Sequence, residues 1–447
     1  MNESGLTCIT HPGIEDRITI MQVSFPRLLT FALFSMLAFT LRAANTAPVR
    51  ISITDFNATG DGRTVSTAAI QKAIDHVAQA GGGTVVIPEG VYTSGALFFK
   101  PGVNLHLEKD AVLRGSTFIE DYPKTMTRIE GHFEEWRPAL INFAKTDGVR
   151  ITGEGMLEGS GQAFWQLFWK KLAENNKTKN LDVERPRLMF IDSCTNVLIS
   201  GIKLKDSGFW NMHLYRCREV VVENVSINSP IGAPSTDGMD IDSCQNVTIS
   251  GCSISVDDDC IAIKGSKGVF ALDDKDSPPV EHIRITNCTF NLGHGVVTLG
   301  SEATIVRDVV VENCRVISAS PTRINSVIRL KCRPDTPQTY EDIHFNNIQL
   351  EGYGQLISID PWTQYFDLKG QPPPSSTVRN ITATNITGSY ESFGSIKGHS
   401  RVKVSNITLE NINLKLKNER LRLGDVENLV IKNVIVNGKE FKAPEPR

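Results

Sequence analysis

Residues 197–202 read Val-Leu-Ile-Ser-Gly-Ile, residues 220–225 Val-Val-Val-Glu-Asn-Val, and residues 247–252 Val-Thr-Ile-Ser-Gly-Cys. The same grammar returns from Ile283, Val309, Ile343, Ile381, Ile407 and Leu429, with successive anchors 22 to 38 residues apart. Two past the anchors stand Ile199, Val222, Ile249, Ile285, Val311, Phe345, Ala383, Leu409 and Ile431. Five past stand Ile202, Val225, Cys252, Cys288, Cys314, Ile348, Ile386, Ile412 and Val434. A step of two is strand alternation, whereas the step from two to five needs an odd residue and therefore a bend. Four past each anchor only Gly or Asn occurs: Gly201, Asn224, Gly251, Asn287, Asn313, Asn347, Asn385, Asn411 and Asn433. These residues best tolerate left-handed backbone, and an Asn there can also bond its counterpart one coil away. The pattern predicts an all-β, single-stranded parallel β-helix, a solenoid with one left-handed corner per turn. A leucine-rich repeat or a propeller would show another period and other punctuation.

The ends of such a stack expose unpaired edges and need covers. Residues 66–80 predict a short N-terminal capping helix, with Ile70, Ala73, Ile74, Val77 and Ala78 on one face. Ser66 or Thr67 can cap its start, and Gly81-Gly82-Gly83 stops it. The first coil is expected to begin near residues 84–87, and the polar segment beyond Val436 to fray or pack as a tail. The six cysteines 194, 217, 244, 252, 288 and 314 fall in two columns of the repeat, which predicts stacked core thiols rather than disulfides or metal ligands. Asn-x-Thr triplets at Asn246, Asn380 and Asn406 follow the same corner grammar and are not read as glycan sites.

Length alone would suggest about three domains, yet one solenoid accounts for residues 45–447. Residues 1–44 read as an upstream extension plus a secretory signal: Arg27, an apolar run from Leu28 to Leu41, then Ala43 and Ala44. Met21 is the expected start, export to the periplasm or outside the expected fate, and an uncleaved anchor the alternative. The run is too short for a comfortable bilayer crossing, and no other stretch is long and apolar enough. Lys and Arg total 47 against 50 Asp and Glu, a formal net charge of −3. That balance argues against non-specific nucleic-acid binding.

A second strand of each coil aligns 237–242 (Asp-Gly-Met-Asp-Ile-Asp) with 259–264 (Asp-Cys-Ile-Ala-Ile-Lys), 295–300 and 326–331. With coils about 4.8 Å apart, Asp237 lies beside Asp259, Asp258 is next along the chain, and His294 is level with Asp258. Arg329 and Lys331 face out from the same surface as Lys264. Crowded carboxyls raise at least one pKa, so that an acid and a base coexist near neutrality. Glycosidic hydrolysis needs that pair, and adjacent cations suit a sugar carrying its own carboxylate. The bland reading is a solvated charged face.

Ser235-Thr236-Asp237, Asp258-Asp259-Cys260, Gly293-His294-Gly295 and Arg329-Leu330-Lys331 resemble the four signatures of the polygalacturonases, glycoside hydrolase family 28. The resemblance extends to Gly153-x-Gly155 with Gly159-x-Gly161, to Asp206-Ser207-x-x-Trp210-Asn211, and to the entry stretch from Thr54 to Gly83. It implies a right-handed β-helix and an inverting hydrolase of pectic polysaccharide or oligogalacturonide, without cofactor or metal and acting as a monomer. In that likeness Asp258 is the general acid, Asp237 and Asp259 hold and deprotonate water, and His294 orients the acid. Arg329 and Lys331, with Lys264 nearby, bind the galacturonate carboxylate. Ser235 replaces the family's usual Asn, Asp257 its Gly, and Leu330 its Ile; Asp257 adds a fourth carboxyl. Long insertions at 162–186, 266–280 and 361–377 could wall the cleft and make the enzyme exo-acting, with Trp165, Trp169, Trp210 and Trp362 near them. Rhamnogalacturonan hydrolysis, a calcium-dependent lyase and a non-catalytic carbohydrate-binding solenoid remain alternatives.

Overall fold

In the computed structural model, which describes residues 49–442 except Pro321, the anchors stack one above another. Val197 is opposite Val220, Val220 opposite Val247, and Val247 opposite Ile283. The column continues through Val309, Ile343, Ile381 and Ile407 to Leu429. These rung-to-rung pairings are all parallel, which defines a parallel β-helix with three strands to the coil, such as Met239–Asp242, Gln245–Ser250 and Ser253–Ser255. The anchors and the residues two and five beyond them are buried until the last coil, where Leu429 and Ile431 are half-covered. Each fully buried Val, Ile or Leu contributes about 1.5–3 kcal/mol, so the stacked columns carry the stability.

All nine predicted corner residues have left-handed backbone, from φ 52° at Asn433 to 78° at Gly201. The side-chain ladder is present between Asn347 and Asn313 (2.7 Å), Asn411 and Asn385 (3.3 Å), and Asn433 and Asn411 (2.8 Å). Asn385 donates instead to Asn346. A second left-handed corner precedes each anchor, at Asn196, Glu219, Asn246, His282, Asp308, Asp342, Asn380, Asn406 and Asn428. Sequence reading passed over it because its residue types vary. The eight described cysteines are buried and free. Seven of their thiols point to backbone carbonyls, as in Cys217 Sγ to Ile191 O at 3.3 Å.

The N-terminal helix α1 (Thr67–Gln79) buries Ile70, Ala73, Ile74 and Val77. Ser66 precedes it, but its hydroxyl accepts the Thr59 N–H instead of capping the helix. The first rung begins earlier than expected: Val49–Ser52 pairs with Gly83–Ile87. At the other end Lys439–Glu440 turns back antiparallel on Ile435 and Val436, and Phe441 stacks on Phe393 at 4.7 Å. Residues 439–441 thus form a cap rather than a frayed end. The insertion beginning at 162 is also ordered, as helix α2 (Gln162–Glu174). The secretory segment lies outside the described residues.

Candidate active site

The strands Met239–Asp242, Asp259–Lys264, Thr289–Leu299 and Ile324–Cys332 lie side by side in the expected register. Met239 is opposite Ile261, Ile261 opposite Val297, and Val297 opposite Ile328. Inward Met, Ile, Val and Leu side chains lock that register, since a slip of one residue would turn them out to water. Asp237 is fixed at its strand's entrance by Asn211, whose side-chain N–H groups donate to the Thr236 and Asp237 carbonyls at 3.2 and 3.1 Å. Ser235 stands in left-handed backbone (φ 57°), and its hydroxyl accepts from Arg185 at 3.2 Å. Gly295 leaves room for the acidic cluster: a Cβ there would sit 2.1 Å from Thr298 Oγ1 and 3.2 Å from Asp259 Oδ1.

One oxygen from each of Asp237, Asp258 and Asp259 lies within 4.8 Å of the other two. Asp259 is fully buried and saturated, accepting from Arg329 (2.8 Å), Lys331 (2.7 Å) and Thr298 (2.7 Å). Burial works against its charge, but the Lys331 and Arg329 cations hold its carboxyl far below the usual range. Asp258 accepts from its own neighbour's N–H and from His294 Nδ1 at 3.1 Å. Burial opposes ionisation there too, yet His294 keeps the net shift downward. Asp258 in turn raises the imidazole to about 9. Asp237 behaves differently. Burial, reinforced by Asp258 and opposed by Lys264, pushes its carboxyl up to about 7. The cluster therefore holds ionised and proton-bearing groups together near neutrality.

The expected residues do not lie on an exposed sheet. They form the floor of a cavity of about 310 Å³ lined by Asp237, Asp258, Lys264, His294, Arg329 and Lys331, with Asp259 beneath. Lys264 is buried rather than facing outward: its Nζ stands 3.3 Å from Asp237, 3.5 Å from Asp240, 3.5 Å from Glu302 and 4.6 Å from the Trp210 ring centre. Asp257 accepts the Gly232 N–H at 2.8 Å, toward the loop that carries Gly232.

The walls hold residues that sequence reading missed: Glu130, Asn180, Ser301, Glu302, Gln364 and Tyr365. Glu130 comes from a β-hairpin, Thr125–Ile129 with His132–Trp136, whose Glu130-Gly131 turn has φ of 41° and 79°. That two-residue turn between alternating strands was the available signal. Arg128 anchors the hairpin, reaching Asp242 at 3.1 Å and Asp274 of the 266–280 insertion at 3.3 Å. The 361–377 insertion supplies Trp362, whose ring lies 4.8 Å from Lys331 Nζ. Trp210 and Trp362 thus line the cavity. Trp165 is buried, with its indole donating to Ser207 O, and Trp169 donates to Gly232 O outside the cavity.

A parallel β-helix that gathers carboxylates, an imidazole and cations on one outward strand face defines a carbohydrate-cleaving class of solenoid. The description "Glycosyl hydrolases family 28" matches residues 80–434, and "Rhamnogalacturonase A/epimerase, pectate lyase-like" matches residues 50–106. An exopolygalacturonase of Zea mays is 28% identical over 377 residues, covering 81% of this chain and 83% of that protein. An endo-polygalacturonase of Pectobacterium carotovorum subsp. carotovorum is 26% identical, covering 78% and 84%. The crystal structure of a hyperthermoactive exopolygalacturonase from Thermotoga maritima superposes with a TM-score of 0.73 at 24% identity, covering 88% of this chain and 93% of that one. The chain belongs to glycosyl hydrolases family 28. It is a glycoside hydrolase built on the parallel β-helix.

Proposed function

We propose that this chain hydrolyses α-galacturonosidic bonds of pectin, removing units from chain ends. The observation that carries the reading is the cavity whose floor brings Asp237 and Asp258, with Asp259 beneath, together with His294, Arg329 and Lys331. The proton for the leaving glycosidic oxygen is held by His294, protonated up to about pH 9, and passes through the Asp258 carboxyl that the imidazole orients, Asp258 itself resting ionised. As the C–O bond breaks, a water oxygen bonds the anomeric carbon and its proton passes to a carboxylate. Asp237 is the better acceptor, since both oxygens of Asp259 are engaged by cations. Arg329 and Lys331 line the cavity and offer their remaining hydrogens to the sugar carboxylate.

Exo action is supported by the walls. A cavity of about 310 Å³ is at the small end of ligand sites, and the hairpin, Asn180 and Tyr365 stand around it. A chain end fits such a space better than a chain interior. Three mutually close carboxylates leave no single pair to which the spacing rule for stereochemistry applies, so inversion rests on the family likeness. A calcium-dependent lyase fits less well, because the Asp259 oxygens are already bonded to cations and Asp237 is paired with Lys264. No helix among the described residues is long and apolar enough to cross a membrane. The basic, apolar and small-residue succession at 27–44 supports an exported enzyme.

Time-resolved product analysis on polygalacturonate tests the reading. Monogalacturonate alone at early times, insensitive to chelator, is expected. Unsaturated ultraviolet-absorbing products would make it a lyase, a ladder of oligomers would make it endo-acting, and the absence of new reducing ends would remove the hydrolytic reading altogether. Parallel digestion of rhamnogalacturonan decides between the two pectic backbones.

A further inference from the structure

The strand that follows Asp237 carries two outward carboxylates with opposite surroundings. Asp242 accepts hydrogen bonds from Arg128 (3.1 Å) and Ser243 (2.7 Å) and lies 3.4 Å from His213. Asp240 has no exposed surface, and among the described residues neither of its oxygens has a conventional hydrogen-bond donor. Its one close cation is Lys264 at 3.5 Å, whose single charge is divided among Asp240, Asp237 and Glu302. Glu302 also has Arg333 at 3.6 Å. Arg187 feels the field of Asp240, but its terminal N–H groups go to the Arg128 carbonyl, His213 and Thr127. His213, opposite Asp240 on the preceding coil, is held neutral by burial, its pKa lowered to about 4.

An ionised carboxylate so placed would be buried with a third of one cation and no hydrogen bond, a costly state that proteins avoid by taking up a proton. Asp237 and Asp240 converge on one cation, their nearest oxygens standing 3.3 and 3.5 Å from Lys264 Nζ. We propose that Asp240 is a positioning residue that stays a neutral carboxylic acid and donates its proton in a hydrogen bond to Asp237, orienting that carboxylate to receive the proton of the attacking water. The role rests on the hydrolytic reading above. Burial, with Asp237 next, drives the Asp240 carboxyl well above the usual range, in keeping with the geometry. Above the Asp237 titration near 7, one group of the pair is then the acceptor and the other the donor.

Asp240→Asn keeps a neutral N–H donor in the same shape, whereas Asp240→Leu removes the donor. The Asn variant should hold kcat within about threefold and leave the pH profile in place. The Leu variant should lose about 10- to 100-fold in kcat with little change in KM, the usual range for a hydrogen bond to a charged group, and its acidic limb should move to higher pH. A readout independent of turnover is the infrared band of a neutral carboxylic acid in the unliganded enzyme at about pH 8, above the Asp237 titration. That band should diminish in Asp240→Asn, and thermal melting checks that each variant folds. An Asn variant as impaired as the Leu variant, two unimpaired variants, or an unchanged infrared band would each overturn the proposal. If the wild-type enzyme releases no reducing sugar from pectic substrates while the band is lost in the Asn variant, the hydrolytic reading fails and the hydrogen bond stands.

Discussion

Asp259 keeps a full negative charge with no exposed surface because Arg329, Lys331 and Thr298 close on its two oxygens. Asp237, one coil away, has Lys264 beside it only in competition with Asp240 and Glu302, and it titrates near 7. The two neighbouring aspartates therefore differ by environment, not by residue type. A pH prediction belongs here. Asp237 must lose its proton to act, so kcat/KM should rise as pH climbs through about 7. His294 must keep its proton, so activity should fall through about 9. An acidic limb far below 7 would transfer the base role to Asp259. Asp258→Asn should cost about 10²–10⁴-fold in turnover with melting little changed; retained turnover would reject Asp258 as the acid.

At the scale of elements, the catalytic strands come from the repeat, and the walls come from segments that interrupt it. The hairpin of residues 125–136 is held by buried Arg128, which bridges Asp242 on the solenoid and Asp274 on the neighbouring insertion. Replacing the hairpin by a short turn should open the cavity and change early products from monomer to a mixture of oligomers. An unchanged product pattern would place the exo determinant in another wall, at Asn180 or Tyr365. The strands and their corners were legible because they repeat. The hairpin was not, although its Glu130-Gly131 turn was visible, because a single two-stranded unit has no second copy to align. Helix α2 was missed for the same reason: its buried Phe164, Trp165 and Phe168 lie in a stretch that reads only as a break in the period.

Across the whole molecule, each coil contacts its neighbours alone, so the exposed ends decide whether the stack stays single. Helix α1 covers the first rungs with Ile70, Ala73, Ile74 and Val77, and the Lys439–Glu440 turn with Phe441 covers the last. Ile74→Asp places an unpaired charge in that lid and should destabilise the protein by about 3 kcal/mol or more. Size-exclusion chromatography should then show soluble aggregate from edge pairing. A variant that stays monomeric with unchanged melting would show that the lid is dispensable.

The solenoid, the rung-to-rung register and the convergence of Asp237, Asp258, Asp259, His294, Arg329 and Lys331 follow from the chain's own periodicity. Stacked coils turn a regular spacing along the sequence into adjacency in space, and apolar alternation admits only one register. Proton placement and closure of the site were settled in three dimensions. Whether Lys264 reaches outward or is drawn into the floor depends on Glu302, Asp240 and Trp210, which come from other coils. Whether the cleft is open depends on non-repeating segments docking over it. Burial and the sharing of one cation among several carboxylates are properties of neighbours brought together by folding, and no local pattern of residues encodes them.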